Sequence, residues 1–126
     1  MKKILLIVCV LAFNFNTFSQ EKTAKINFKT TEIDYGVIEK GSNGIRDFEF
    51  TNDGNSPLII TNVKSTCGCT IPKKPNKPIL PGESEKIQVK YDTNRIGFIR
   101  KSIIVSSNAQ NPTVILKITG KVTNKI

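Results

Sequence analysis

From residue 26 onward, apolar side chains recur at every second position in short runs, each broken by Gly, Pro, Asn or Asp. A period of two places alternate side chains on opposite faces of an extended chain, so such runs read as half-buried strands. Ile26 and Phe28 alternate with Lys25, Asn27 and Lys29 and open the series. Ile33 and Tyr35 flank Asp34, and Gly36 leads into Val37-Ile38. Lys40 to Gly44 contains residues that tolerate positive φ and reads as a turn. Phe48 and Phe50 then alternate with Asp47, Glu49 and Thr51. Asn52-Asp53-Gly54-Asn55 reverses the chain, because Asp-Gly accepts the left-handed backbone of a tight turn. No run places apolar residues at i, i+3, i+4 and i+7 beyond the N-terminal segment, so no further helix is expected.

The second half repeats the pattern. Pro57 opens a strand with Leu58, Ile59, Ile60 and Val63, whose inward face the pattern alone leaves open. A short segment carries Cys67-Gly68-Cys69 and ends at Ile71. Residues 72–81 read as a Pro- and Lys-rich loop of extended character. Ile87, Val89 and Tyr91 alternate with Lys86, Gln88 and Lys90. Ile99, Ile103 and Val105 suit the next strand, with Lys101 out of keeping on that face. Ser107 to Pro112 turns the chain back, and Val114, Leu116 and Ile118 make the last strong strand. Seven to eight strands in about 100 residues without helices predict an all-β fold: an immunoglobulin-like β-sandwich with Greek-key connections, favoured over a barrel because the strands are few and irregular. Its expected core is Phe28, Phe48, Phe50, Ile60, Ile87, Val89, Tyr91, Ile103, Val105, Leu116 and Ile118. Without Trp, and without two cysteines at long spacing, it is not a disulfide sandwich of the antibody kind.

The N-terminus changes the picture of where this domain works. Lys2 and Lys3 precede an apolar stretch, Ile4 to Phe13, of signal-peptide length. Thr17 and Ser19 put small residues at −3 and −1, so cleavage between Ser19 and Gln20 is expected. The stretch is far short of the ~20 apolar residues of a membrane span. Cys9 follows Val8 rather than Gly, Ala or Ser, which does not fit a lipid-attachment site. The expected organisation is a signal peptide over 1–19, a short leader over 20–25, a sandwich domain over 26–122 and a tail over 123–126. Loss of residues 1–19 from the 126 leaves 107 and, with Lys2 and Lys3 gone, lowers the net charge from +9 to +7. The expected product is periplasmic or secreted. Its lysines are dispersed, and the one tight group, Lys73, Lys74 and Lys77, has no aromatic residues interleaved for stacking on bases. That favours solubility over nucleic-acid binding.

Candidate chemistry is sparse. The chain has no histidine, so Ser–His and Cys–His nucleophile pairs are excluded. Its carboxylates flank turns or alternate outward on strands, which suits a solvated surface. No enzymatic activity and no cofactor are expected. After processing, Cys67 and Cys69 are the remaining thiols. At i and i+2 of an extended chain they share a face, with α-carbons about 6.5–7 Å apart, at the edge of what a disulfide tolerates. Three readings stay open for this pair. It is a local disulfide or packed thiol pair in an oxidising compartment, a redox couple, or part of a soft-metal site. A closed metal site needs four ligands, so the last reading requires weak carboxylates or a second chain.

Several segments together resemble a known family. They are Ile33-Asp34-Tyr35-Gly36-Val37-Ile38; Phe48 to Gly54 followed by Leu58 to Val63; Ser65-Thr66-Cys67-Gly68-Cys69-Thr70; and Pro81-Gly82-Glu83-Ser84 leading to Asp92. With Gly97, Ile103 to Asn108 and Ile118-Thr119-Gly120, they are similar to the bacterial domain-of-unknown-function 1573 family over roughly residues 26–122. Cys-Gly-Cys-Thr is the most specific element. The resemblance implies an immunoglobulin-like sandwich of the Hydin and major-sperm-protein kind on an exported bacterial protein. It implies no activity, since fold does not carry function. The expected role is therefore a non-catalytic module of the cell envelope that binds or scaffolds an envelope or extracellular protein. It would use sheet edges and end loops, above all residues 70–82 with Lys73, Lys74 and Lys77. The alternative is redox or soft-metal chemistry at Cys67 and Cys69.

Overall fold

The computed structural model describes residues 22–124. The expected signal peptide and the expected Ser19–Gln20 cleavage site lie outside the described residues. The described chain forms eight strands: β1 (Ile26–Phe28), β2 (Glu32–Glu39), β3 (Ile45–Asn52), β4 (Ile60–Ser65), β5 (Thr70–Lys73), β6 (Ser84–Tyr91), β7 (Gly97–Ser107) and β8 (Thr113–Thr123). They make two four-stranded sheets, ordered β1-β3-β6-β5 and β2-β8-β7-β4. Each sheet joins one pair of strands three apart in sequence, β3 with β6 at the centre of the first sheet and β4 with β7 at one side of the second. That interlock is the Greek-key arrangement of immunoglobulin-like sandwiches. All pairings between these strands are antiparallel except β2 with β8.

The expected alternation sets the core. Phe48 and Phe50 point inward from β3, Ile87, Val89 and Tyr91 from β6, Ile99, Ile103 and Val105 from β7, and Leu116, Ile118 and Val122 from β8. Phe48 stands opposite Ile87, and Ile103 opposite Leu116, so the buried faces meet as cross-strand pairs. Each buried large side chain contributes about 1.5–3 kcal/mol of transfer free energy, largely offset by chain entropy. Phe28 departs from expectation. It lies on a three-residue edge strand and is half-buried, its ring tilted against Phe50 at 5.4 Å.

The open question of β4 has a clear answer. Leu58 and Ile60 are buried and Ile59 is exposed, and a register shift between Ile60 and Asn62 then turns Val63 inward. Residues 72–81 are less loop-like than their composition implies. Pro72 and Lys73 belong to β5, and Ile79 pairs with Leu58 in an isolated bridge and is almost wholly buried. Ala24, in the segment read as a leader, packs in the core and bridges to Ala109.

Asn52 ties these parts together. It reads in the sequence as a turn residue, but its side chain is fully buried. Nδ2 donates to the Ser56 carbonyl at 2.8 Å and to the Ile79 carbonyl at 2.9 Å. Oδ1 accepts from Gly54 N–H at 3.0 Å and Lys25 N–H at 3.3 Å. One buried amide thus bonds backbone groups from the N-terminal segment, the β3–β4 loop and the β5–β6 loop, which gather at one end of the sandwich.

Candidate functional site: the cysteine-bearing end

The opposite end is built from the loops 40–44, 66–69 and 92–96. They are braced by backbone bonds: Gly41 N–H to Thr93 O at 3.2 Å, Tyr91 N–H to Gly44 O at 3.0 Å, and Asp92 N–H to Cys69 O at 2.8 Å. Thr93 Oγ1 adds a bond to Ser42 O at 2.6 Å. Tyr35 locks β2 onto the same platform. A bulge at Gly36, with φ +69°, lets the strand dip inward, and Gly120 leaves the room. A Cβ on Gly120 would lie 2.8 Å from the Tyr35 Cβ. The phenol donates to Gly44 O at 2.7 Å, and the Arg46 guanidinium lies 4.2 Å above the ring. Burial pushes the Tyr35 pKa above its ordinary value. Arg46 pulls it back in part, and Tyr91 adds to the rise.

Apolar side chains crowd this end. Eight large hydrophobic residues are exposed among those described, and five of them, Val37, Ile45, Ile71, Ile96 and Phe98, lie here. Register explains their grouping. On the outer face of one sheet, Ile71, Lys90 and Ile45 stand side by side across β5, β6 and β3. On the other sheet, Phe98, Lys121 and Val37 do so across β7, β8 and β2. Lys121 Nζ lies 5.2 Å from the Phe98 ring centroid. Each row thus has two apolar flanks around a lysine, and Ile96, exposed in the β6–β7 loop, lies two residues before Phe98. The sequence held a signal for this: Phe98 falls out of phase with Ile99, Ile103 and Val105.

Cys67 and Cys69 sit at the tip. Their sulfurs are at disulfide-bonding distance, with α-carbons 5.3 Å apart. That is closer than extended geometry gives, because residues 66–69 form a bend and turn rather than a strand. Ser65 Oγ accepts from Cys67 N–H at 3.2 Å and donates to the Cys67 carbonyl. The Cys69 N–H points onto Cys67 Sγ at 3.0 Å. Cys67 is half-buried and Cys69 is 3% exposed.

The lysine group does not join this site. Lys73 ends β5, and Lys74 and Lys77 lie in the loop beyond it, all exposed. Three steps along β5 carry the chain about 10 Å from Thr70 toward the far end. Among the described residues no three of His, Cys, Asp and Glu converge to hold a metal. A soft ion would find only Cys67 and Cys69 as thiolate ligands. A shallow concavity of about 490 Å³ on the outer face of β3 and β6 is lined by Lys29, Glu49, Glu85 and Lys86, with a hydroxyl pair, Thr51 and Ser84, at 2.7 Å. These side chains are mostly exposed, and the two hydroxyls bond each other.

The two four-stranded sheets and their strand order define an immunoglobulin-like β-sandwich. The chain belongs to the family described as "Protein of unknown function (DUF1573)", whose sequence model matches residues 12–122. A protein of unknown function from Porphyromonas gingivalis W83 is similar at 21% identity and TM-score 0.71, over 86% of this chain and 51% of that one. This chain thus spans about half the length of that protein. PapD-like domain 7 of human CEP192 matches at 10% identity and TM-score 0.69, over 89% of this chain and 94% of the other. The periplasmic chaperone SfaE matches at 9% identity and TM-score 0.52, over 80% and 58%. At these identities the likeness is one of fold. No protein with a curated description matches the chain.

Proposed function

We propose that this protein is a non-catalytic module exported to the cell envelope, where it binds a protein partner through its cysteine-bearing end. The observation that carries the reading is a pair of exposed apolar rows near this end, Ile71 and Ile45 on the outer face of one sheet and Phe98 and Val37 on the outer face of the other, with Ile96 exposed in the adjoining loop. Grouped exposed apolar residues mark interaction surfaces, whereas singly scattered ones need no explanation. A lysine at the centre of each row calls for a partner with carboxylates set among apolar side chains. Export rests on the N-terminal pattern of Lys2, Lys3 and the apolar run that follows.

The end platform is a better contact surface than the sheet edges. β1 has three residues, β5 carries Pro72, and β2 and β4 are each interrupted by a register shift. Short, bulged or proline-bearing edges are the devices by which sheets avoid pairing with other chains. The residue 70–82 segment is split between the ends: Ile71 belongs to the platform, while Lys74 and Lys77 lie away from it.

The test is photo-crosslinking in the producing cells, with a reactive residue placed at Phe98 or, as a comparison, at Leu80 on the far end. A defined adduct from position 98 and none from position 80 is expected. Adducts from position 80 alone, or from neither, overturn the assignment. Retention of residues 1–19 on the cell-derived protein, read by intact mass, would remove the export part independently.

A further inference from the structure

We propose that Cys67-Gly68-Cys69 is a thiol–disulfide exchange site in which Cys67 is the exchanging sulfur and Cys69 the resolving one. The substrate class is a thiol or dithiol on a protein or small molecule. This stands on the local geometry of the turn and does not depend on the partner-binding reading.

The two sulfurs differ in access and in electrostatics. Cys67 is half-buried at a loop tip, whereas Cys69 is 3% exposed. Gly68 between them is exposed, and no heavy atom outside the immediate chain lies within 4 Å of the place a Cβ would take. An incoming thiolate therefore reaches Cys67 first. The Cys69 N–H aimed at Cys67 Sγ, at 3.0 Å, favours negative charge on that sulfur once it is released. Cys69 has no comparable donor: the Thr70 hydroxyl stands 3.8 Å away, and desolvation favours its protonated form. An accessible thiol that readily ionises beside a buried one that holds its proton is the division of labour that directional exchange needs.

The step balances as follows. A partner thiolate attacks Cys67 Sγ and forms a mixed disulfide, the Cys67–Cys69 bond breaks, and Cys69 leaves with the electron pair and takes a proton from water. A second thiolate on the partner then attacks the partner's own sulfur in the mixed disulfide and releases Cys67. The cysteine pair ends reduced and the partner dithiol ends oxidised to a disulfide. In reverse, the Cys67 thiolate attacks a partner disulfide and Cys69 resolves the product.

The surroundings tolerate such cycling. Thr66 N–H is held by Ser102 O at 3.1 Å and the Cys69 carbonyl by Asp92 N–H at 2.8 Å, so both ends of the turn are fixed to neighbouring strands without the sulfur bond. A crosslink that encloses one intervening residue restricts the unfolded chain little, so it is a weak staple for the fold.

The test uses the full mature chain, reduced under native conditions with dithiothreitol and then treated with limiting N-ethylmaleimide. Tandem mass spectrometry of the peptide 65–73, which holds both cysteines, reads the label at each. Cys67 should carry about tenfold more label than Cys69, and the ratio should fall to about one in denaturant. Equal labelling in the folded protein, or an excess on Cys69, overturns the assignment. So does a pair that stays closed under excess dithiothreitol while the protein is folded. As a second arm, C69S should take glutathione from glutathione disulfide about tenfold faster than C67S. Equal rates with both variants folded by circular dichroism contradict the proposal.

Discussion

Replacing Asn52 by alanine should cost far more stability than its place beside a turn implies. The carboxamide makes four hydrogen bonds, at 2.8, 2.9, 3.0 and 3.3 Å, to four separate backbone groups, and its side chain is wholly buried. Alanine removes all four, and the buried Ile79 carbonyl keeps only its bond from the Leu58 N–H at 2.8 Å. At about 1 kcal/mol net per bond, with the longest the weakest, the loss is about 3–4 kcal/mol. A domain of this size has about 5–15 kcal/mol in total. The variant should therefore still fold, with Tm lowered by roughly 12–30 °C at ~4–8 °C per kcal/mol. Urea unfolding gives the free energy directly, and an unchanged m-value shows that the two end states are comparable. Asn52→Asp refines the test. It keeps the acceptor oxygen but sets a carboxylate against the Ser56 and Ile79 carbonyls, which raises its pKa. Its stability should fall as pH rises from about 3 to 7, because the native state holds the proton longer than the unfolded chain. A loss below about 1 kcal/mol for Asn52→Ala would refute the view that this amide holds three segments together.

Three further outcomes follow from the packing. Ile79→Ala should lose about 2–5 kcal/mol by urea unfolding, while joint replacement of Lys73, Lys74 and Lys77 by alanine should stay within about 0.5 kcal/mol. Gly44→Ala puts a Cβ 2.1 Å from the Tyr91 carbonyl and should cost about 2–3 kcal/mol by thermal unfolding. Gly41→Ala meets open space but a φ of +83°, and should cost about 1–2 kcal/mol. For Tyr35, burial raises the folded pKa above the unfolded value, so its stabilisation is complete below the unfolded pKa of about 10 and is lost as pH rises through the folded one. Tyr35→Phe should flatten that alkaline loss in a pH series of urea midpoints.

Alternation made the two sheets legible in the sequence, because a residue's parity decides its face wherever the ladder is regular. Phe48, Ile87, Ile103 and Leu116 needed nothing more. Parity failed where the ladder is irregular: the bulge in β4 turns Val63 inward, and no composition rule marks it. Ile79 was hidden because prolines and lysines around it dominate the local average. Phe28 was over-read because alternation does not reveal that its strand is a three-residue edge. Asn52 looked like a turn former because its partners come from Lys25, Ser56 and Ile79, which only the tertiary fold brings near. At the candidate site, Cys67 and Cys69 stood out by rarity. The apolar rows around Lys90 and Lys121 depend on strand register and were not readable from any one segment.

The central claim is that one end of the sandwich meets a partner. Native-gel migration of the protein in envelope extract, compared between I71D/F98D and I59D/L80D, tests it most directly. All four positions are exposed, so both variants should keep the parent's thermal midpoint. The claim predicts that the first pair abolishes a slower-migrating complex and the second leaves it intact. A complex that survives I71D/F98D and vanishes with I59D/L80D would contradict it.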